Sequence, residues 1–142
     1  KRRDQGLTSD AKKYELSKYR IKQAEESLEE ARFLLAGRKS PRSIINRAYY
    51  AMFYAVLGLL VYESYSTSKH SGVLSYFNKH FIKEGILDEN IGRSINKAFE
   101  LRQRGDYREY IDLSYEQVEP FIGDAEAFIK AIKDYLNHKW AP

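Results

Sequence analysis

Apolar residues recur along the first part of the chain at alternating steps of three and four. Ile21, Ala24, Leu28, Ala31 and Leu35 carry the pattern, while Glu25, Glu26, Glu29 and Glu30 fall mostly on the other side. That spacing predicts one amphipathic helix from about Asp10 to Ala36, stopped at Gly37. Ser40 followed by Pro41 is a helix start, with the serine as N-cap and the proline at the first helical position. The helix it opens runs to about Tyr62. Being apolar nearly all round, it belongs at the centre of the fold.

The polar segment from Glu63 to Ser68 reads as a loop. Val73, Leu74, Phe77 and Phe81 mark a short third helix that ends near Gly85. Asp88 caps a fourth, with Ile91, Ile95, Ala98, Phe99 and Arg102 on one face and Gly105 as its stop; residues 105–113 form an irregular connection. Ser114 with Gln117 resembles a capping box, and Phe121, Ala125, Phe128, Ile132 and Leu136 pattern a last helix. A proline inside a helix removes a backbone hydrogen bond, so Pro120 requires either a separate turn after Ser114 or a regular helix starting near Pro120. No stretch has the period of a strand. The expected fold is an all-α, antiparallel bundle of four to five helices, occupying residues 10–138 behind a flexible tail at residues 1–9.

Composition narrows the function classes. With 142 residues the chain can bury a core as a single domain. It has no cysteine, which removes disulfides, thiolate metal sites and a cysteine nucleophile together and fits a reducing cytoplasm. The net charge of +4 admits a polyanionic partner, although part of the excess sits in Lys1, Arg2 and Arg3. The apolar run from Ala48 to Tyr62 is shorter than the ~20 residues of a membrane span. Its tyrosines are also scattered through the middle instead of gathered at the ends, so a buried helix of a bundle is expected.

Several catalytic patterns are missing: there is no glycine-rich phosphate loop, no HExxH and no GxSxG. His70, His80 and His138 are isolated from one another, so neither a metal nor a cofactor is expected. Three groups of residues hold more chemistry. Arg47, Tyr50, Tyr54 and Gly58 share one stripe of the second helix, with Ala51 beside it. That stripe suits either a close helix contact, with Arg47 paired to a carboxylate, or a groove wall that stacks a base. In LRQRGDYREY, from Leu101 to Tyr110, Arg102 and Arg104 could be helix-end charges, or an arginine held by Asp106 beside Tyr107 could grip phosphate. His70, in SKHSG, falls at the start of the third helix. It is placed for a structural hydrogen bond or for acid–base work.

NRAYYAMFYA, then KHSGVLSYF, then LRQRGDY before a final amphipathic helix resemble the HEPN-domain proteins of archaea and bacteria. The likeness is closest to a small single-domain branch with an RAYYAMFYA-type helix and a late RxxxDY motif, and it covers roughly Tyr14 to Leu136. The resemblance implies a bundle of about five helices, of the type that also serves as a nucleotidyltransferase substrate-binding domain and often forms a two-fold dimer. It also implies RNA or nucleotide binding. A pairing with a minimal nucleotidyltransferase as toxin and antitoxin follows too, the HEPN member acting as a metal-independent endoribonuclease that its partner can silence by adenylylating a tyrosine. Carried over by position, Arg102 is the arginine of the family motif R-x4-6-H, Asp106 and Tyr107 complete RxxxDY, and Arg47, Tyr50 and His70 are further matches. The sequence departs from the motif in one respect. No histidine lies four to six residues after any arginine, and Tyr107 stands at that spacing after Arg102. A tyrosine titrating near pH 10 is a poor proton shuttle at neutrality. A helical interaction partner that docks a nucleotidyltransferase without touching RNA is the alternative from a different class.

Overall fold

The computed structural model describes the backbone of residues 2–65, 69–107 and 112–141, and the side chains of 9–65, 69–105 and 112–141. Six α-helices follow in chain order among these residues: α1 (Arg2–Ala36), α2 (Pro41–Leu60), α3 (His70–Phe77), α4 (Glu89–Tyr107), α5 (Tyr115–Val118) and α6 (Pro120–Trp140). A π-helical turn, Asn78–Ile82, continues α3. There is no strand among the described residues, and the all-α bundle expected from periodicity is the fold.

α2 lies at the centre and packs against α1, α3, α4, α5 and α6. Ile44, Ala48, Tyr49, Met52, Val56 and Leu59 along it are fully buried. By length and composition alone α2 is apolar enough to cross a bilayer, yet 67% of its apolar window is inside the bundle. The core explains the run. α2 starts as expected: the Ser43 N–H donates to Ser40 Oγ at 3.2 Å, with Pro41 in the first turn. α1 turns Ile21, Ala24, Leu28 and Ala31 inward, as their spacing predicts, but its helix begins at Arg2, upstream of Asp10.

Three boundaries follow a different logic from the sequence pattern. The residue with left-handed backbone after α1 is Arg38, at φ 55°, and not Gly37. An L-residue with a side chain pays ~1–2 kcal/mol there. The Tyr115 ring offsets that cost, lying 3.9 Å from the Arg38 guanidinium, while the Tyr115 hydroxyl donates to the Arg38 carbonyl at 2.7 Å. Gly105 does not stop α4, which continues to Tyr107. It is a buried packing glycine, since a Cβ there would lie 2.9 Å from Leu113 Cδ1. The third departure is the π-helical turn, in which Asn78 Nδ2 donates to the Leu74 carbonyl at 2.8 Å and to Asn96 Oδ1 at 3.0 Å. α4 can come this close because Gly92 leaves room: a Cβ would stand 2.9 Å from Ile82.

The expectation for Pro120 is met on both counts. Ser114 and Gln117 form a reciprocal capping box on the single turn α5, and α6 opens at Pro120, where its missing N–H costs nothing.

Candidate functional site

Tyr49 and Tyr50 are neighbours on α2, and Phe53 lies one turn on from Tyr49. After α2 the next helix is α3, whose first residue is His70, and α4 brings Phe99 and Arg102 to the same place. Tyr49 is the hub. It is fully buried, with its ring 5.3 Å from Tyr50 edge-on, 5.7 Å from Phe53 and 5.6 Å from Phe99. Burial holds its hydroxyl protonated, far above the usual tyrosine range, against the smaller opposing pull of Arg102.

His70 stacks on Phe53 at 4.0 Å and its Nδ1 lies 3.1 Å from the Tyr49 hydroxyl, a hydrogen bond whose direction follows the imidazole tautomer. Nε2 is thereby the nitrogen left for other work. Burial lowers the His70 pKa below its ordinary 6.5, and the positive charge of Arg102 lowers it further. The ring is therefore neutral at pH 7. Arg102 is half-buried, its guanidinium carbon 5.3 Å from the Tyr49 ring centre and 5.2 Å from that of Tyr50, and its Nη2 donates to the Tyr50 hydroxyl at 3.4 Å. Sequence separation hid this meeting of Arg102 and His70 across two tyrosines.

Because the folded state holds His70 neutral, it binds fewer protons than the unfolded chain just below pH 6.5. The resulting stabilisation is complete above that pH and is lost as pH falls through the lowered folded value. Urea titrations at a series of pH values should show the wild type losing stability on acidification more steeply than His70→Gln. Parallel curves for the two proteins would contradict the assignment.

The other sequence candidates divide. Arg47 is 5.1 Å from the Tyr50 ring, so Tyr50 has two guanidinium groups near its ring. The same arginine pairs with Glu30 at 3.2 Å and donates to Asn46 Oδ1 at 3.0 Å. That is the carboxylate pairing allowed for above. Tyr54 touches the group through Tyr50, at 5.6 Å. Gly58 belongs to a helix contact: a Cβ would lie 3.1 Å from the Ser17 carbonyl of α1, and Ser17 Oγ donates to the Gly58 carbonyl at 2.8 Å. Arg104 stays on the exposed side of α4, 4.0 Å from Glu100, away from the cluster. Asp106 and Tyr107 close α4 by backbone, and their side chains lie outside the described residues. Among the described residues no group of three or more acidic or histidine side chains could hold a metal ion.

Sequence reasoning missed Tyr49 and Phe53, and it placed Phe99 on the face of Arg102 without assigning it to the site. For the first two the signal was present in their i, i+4 spacing. In a run where nearly every residue is apolar, that signal does not stand out. Chemically, the cluster offers a guanidinium braced on aromatic faces, which suits a phosphate, and a neutral imidazole oriented by a buried hydroxyl, which suits proton transfer.

Comparison with known proteins bears on the family of the chain as a whole. Residues 17–135 match the family model described as the HEPN domain. A "UPF0332 protein" of Thermotoga maritima is 40% identical over 125 residues, covering 88% of this chain and 94% of that protein. Two proteins of Methanocaldococcus jannaschii are also similar. "Putative toxin MJ0142" is 38% identical over 89% of this chain and 85% of its own length. "Putative toxin MJ0605" is 37% identical over 82% and 86%.

Proposed function

This chain belongs to the HEPN domain family, and from that membership we propose that it is the toxin of a toxin–antitoxin pair, binding and cleaving RNA at the Arg102–His70 corner. The toxin names of two relatives support the first half of this reading. One observation supports the second: His70 and Arg102, far apart in sequence and on different helices, meet over Tyr49 and Tyr50. The imidazole that the family motif would supply from α4 comes instead from the start of α3.

In this reading Arg102 holds the scissile phosphate and His70 Nε2 accepts the proton of the adjacent 2′-hydroxyl. The 2′-oxygen bonds to phosphorus, the bond to the 5′-oxygen breaks, and that oxygen leaves with a proton from water, whose hydroxide takes back the proton held at His70 Nε2. The products are a 2′,3′-cyclic phosphate and a 5′-hydroxyl. Tyr50, Tyr54 and Arg47 extend the surface for flanking nucleotides, and Asp106 and Tyr107, later on α4, are assigned to its border, while Arg104 takes no part. The antitoxin is a minimal nucleotidyltransferase, the working form is a homodimer, and the compartment is the cytoplasm, which the absence of cysteine fits.

A second reading, a non-catalytic docking partner, draws on the exposed face where Phe33, 74% exposed, adjoins Leu34 and Arg47. The two are separated by measuring RNA binding and cleavage with the purified protein alone, in EDTA. Arg102→Ala should weaken RNA binding about 10- to 100-fold, the equivalent of one charge-assisted phosphate contact of ~1.5–3 kcal/mol. His70→Gln should bind RNA and fail to cut it. A folded wild type that neither binds nor cuts RNA would sink the first reading and favour the second.

A further inference from the structure

Roughly 15 Å along α2 from Tyr50, the early turns of α1 pass the end of α2 and leave a groove of about 450 Å³. This is within the ~300–1,000 Å³ typical of small-molecule sites. Its floor is apolar, made by Leu60 and by Leu16, which is 45% exposed despite its size. Lys12 and Lys13 stand on the α1 side, and neither is in an ion pair among the described residues. Glu63 and Tyr65 form the opposite wall.

That wall is built up from behind. Tyr65 stacks on Tyr76 at 4.3 Å and 22°, and Tyr76 lies 4.2 Å from His80, so Tyr65 is the end ring of a three-ring tower. The Tyr76 hydroxyl donates to Glu63 Oε1 at 2.9 Å, which fixes the carboxylate beside the tower. His80 sits on the π-helical turn, which sets the last ring in the column. A flat ring braced from one side, two lysines on the rim and a fixed acceptor over an apolar floor together match the parts of a nucleotide. A base of any identity can stack on such a ring, since every base has a π-face.

We propose that this groove binds a nucleoside monophosphate unit, its base stacked on Tyr65 and its phosphate held by Lys12 and Lys13. Glu63 accepts a hydrogen bond from an amino group on the base edge, which favours adenine over uracil. The unit is either a free nucleotide or one residue of an RNA strand. The inference is independent of the Arg102 corner, and the experiment keeps the two apart.

Calorimetric titrations with AMP, UMP and an adenylate hexanucleotide would be run on the wild type and four variants: Lys12→Ala/Lys13→Ala, Tyr65→Ala, Tyr65→Phe and Arg102→Ala. AMP affinity should fall tenfold or more in the double lysine variant and in Tyr65→Ala. It should change less than threefold in Tyr65→Phe, which keeps the stack, and in Arg102→Ala. UMP should bind more weakly than AMP. If only the hexanucleotide shows the lysine and Tyr65 dependence, the groove takes RNA; if AMP shows it equally, the groove takes a free nucleotide. No binding of either ligand to the wild type, or binding lost in Arg102→Ala and retained in the lysine variant, would overturn the proposal.

Discussion

Gly58→Val should destabilise the protein by about 3 kcal/mol, read as a lower midpoint of urea unfolding. At Gly58 the α2 backbone comes against α1: even a bare Cβ would lie 3.1 Å from the Ser17 carbonyl and 3.2 Å from Ile21 Cδ1. Valine adds two further methyl groups where the first carbon is already tight, and one of the opposing atoms is main chain. The helices must therefore part. Overpacking of this kind costs ~1–3 kcal/mol. Separation also strains two hydrogen bonds, Ser17 Oγ to the Gly58 carbonyl at 2.8 Å and Trp140 Nε1 to Ser17 Oγ at 3.1 Å, each contributing ~0.5–1.5 kcal/mol. The better helix propensity of valine over glycine returns only a few tenths of a kcal/mol. Gly58→Ala is the graded control, with a smaller clash and a propensity gain of ~1 kcal/mol against it. A valine variant within ~0.5 kcal/mol of wild type would show that α1 yields freely, contrary to the packing described.

The second large effect is at Tyr49. Tyr49→Ala removes a fully buried ring that touches Tyr50, Phe53, His70 and Phe99, and should cost about 3–5 kcal/mol. Tyr49→Phe keeps the ring and deletes the hydroxyl at His70 Nδ1, which should cost only ~1 kcal/mol. The informative comparison is between stability and activity. If the hydroxyl orients the imidazole for proton transfer, Tyr49→Phe should lower RNA cleavage about tenfold or more while leaving RNA affinity within twofold. Cleavage unchanged in a folded Tyr49→Phe protein would reduce the hydroxyl to a packing detail.

These residues also show how far the sequence could be read. The amphipathic face of α1, the Ser40–Pro41 start of α2 and the break at Pro120 were legible because each is local: a period, a cap or a missing N–H reports on its own neighbourhood. Arg38 was illegible because its left-handed backbone is supported by Tyr115, a residue remote in the chain. Gly105 looks like a helix stop until Leu113 is seen lying against it, and the π-helical turn depends on Asn96 and Gly92 from another helix. The same distinction divides the candidate site. Arg102 and His70 could be named one at a time as chemically able residues. Their meeting, and Tyr49 as the group between them, is a product of tertiary packing.

The Arg38 turn has a consequence for how the protein comes off the ribosome. The connection between α1 and α2 is closed by local backbone bonds, among them Lys39 N–H to the Leu34 carbonyl at 2.8 Å, yet the Tyr115 contacts that offset the strain at Arg38 come only later in synthesis. At ~5–20 residues per second, the intervening stretch takes several seconds to emerge. For that interval the early hairpin lacks its latch, and the aromatic side of α2 that will carry the Arg102–His70 corner is still uncovered. A nascent chain in this state has exposed tyrosines, a feature that favours capture by a holding chaperone, and it has no assembled cluster with which to act on RNA.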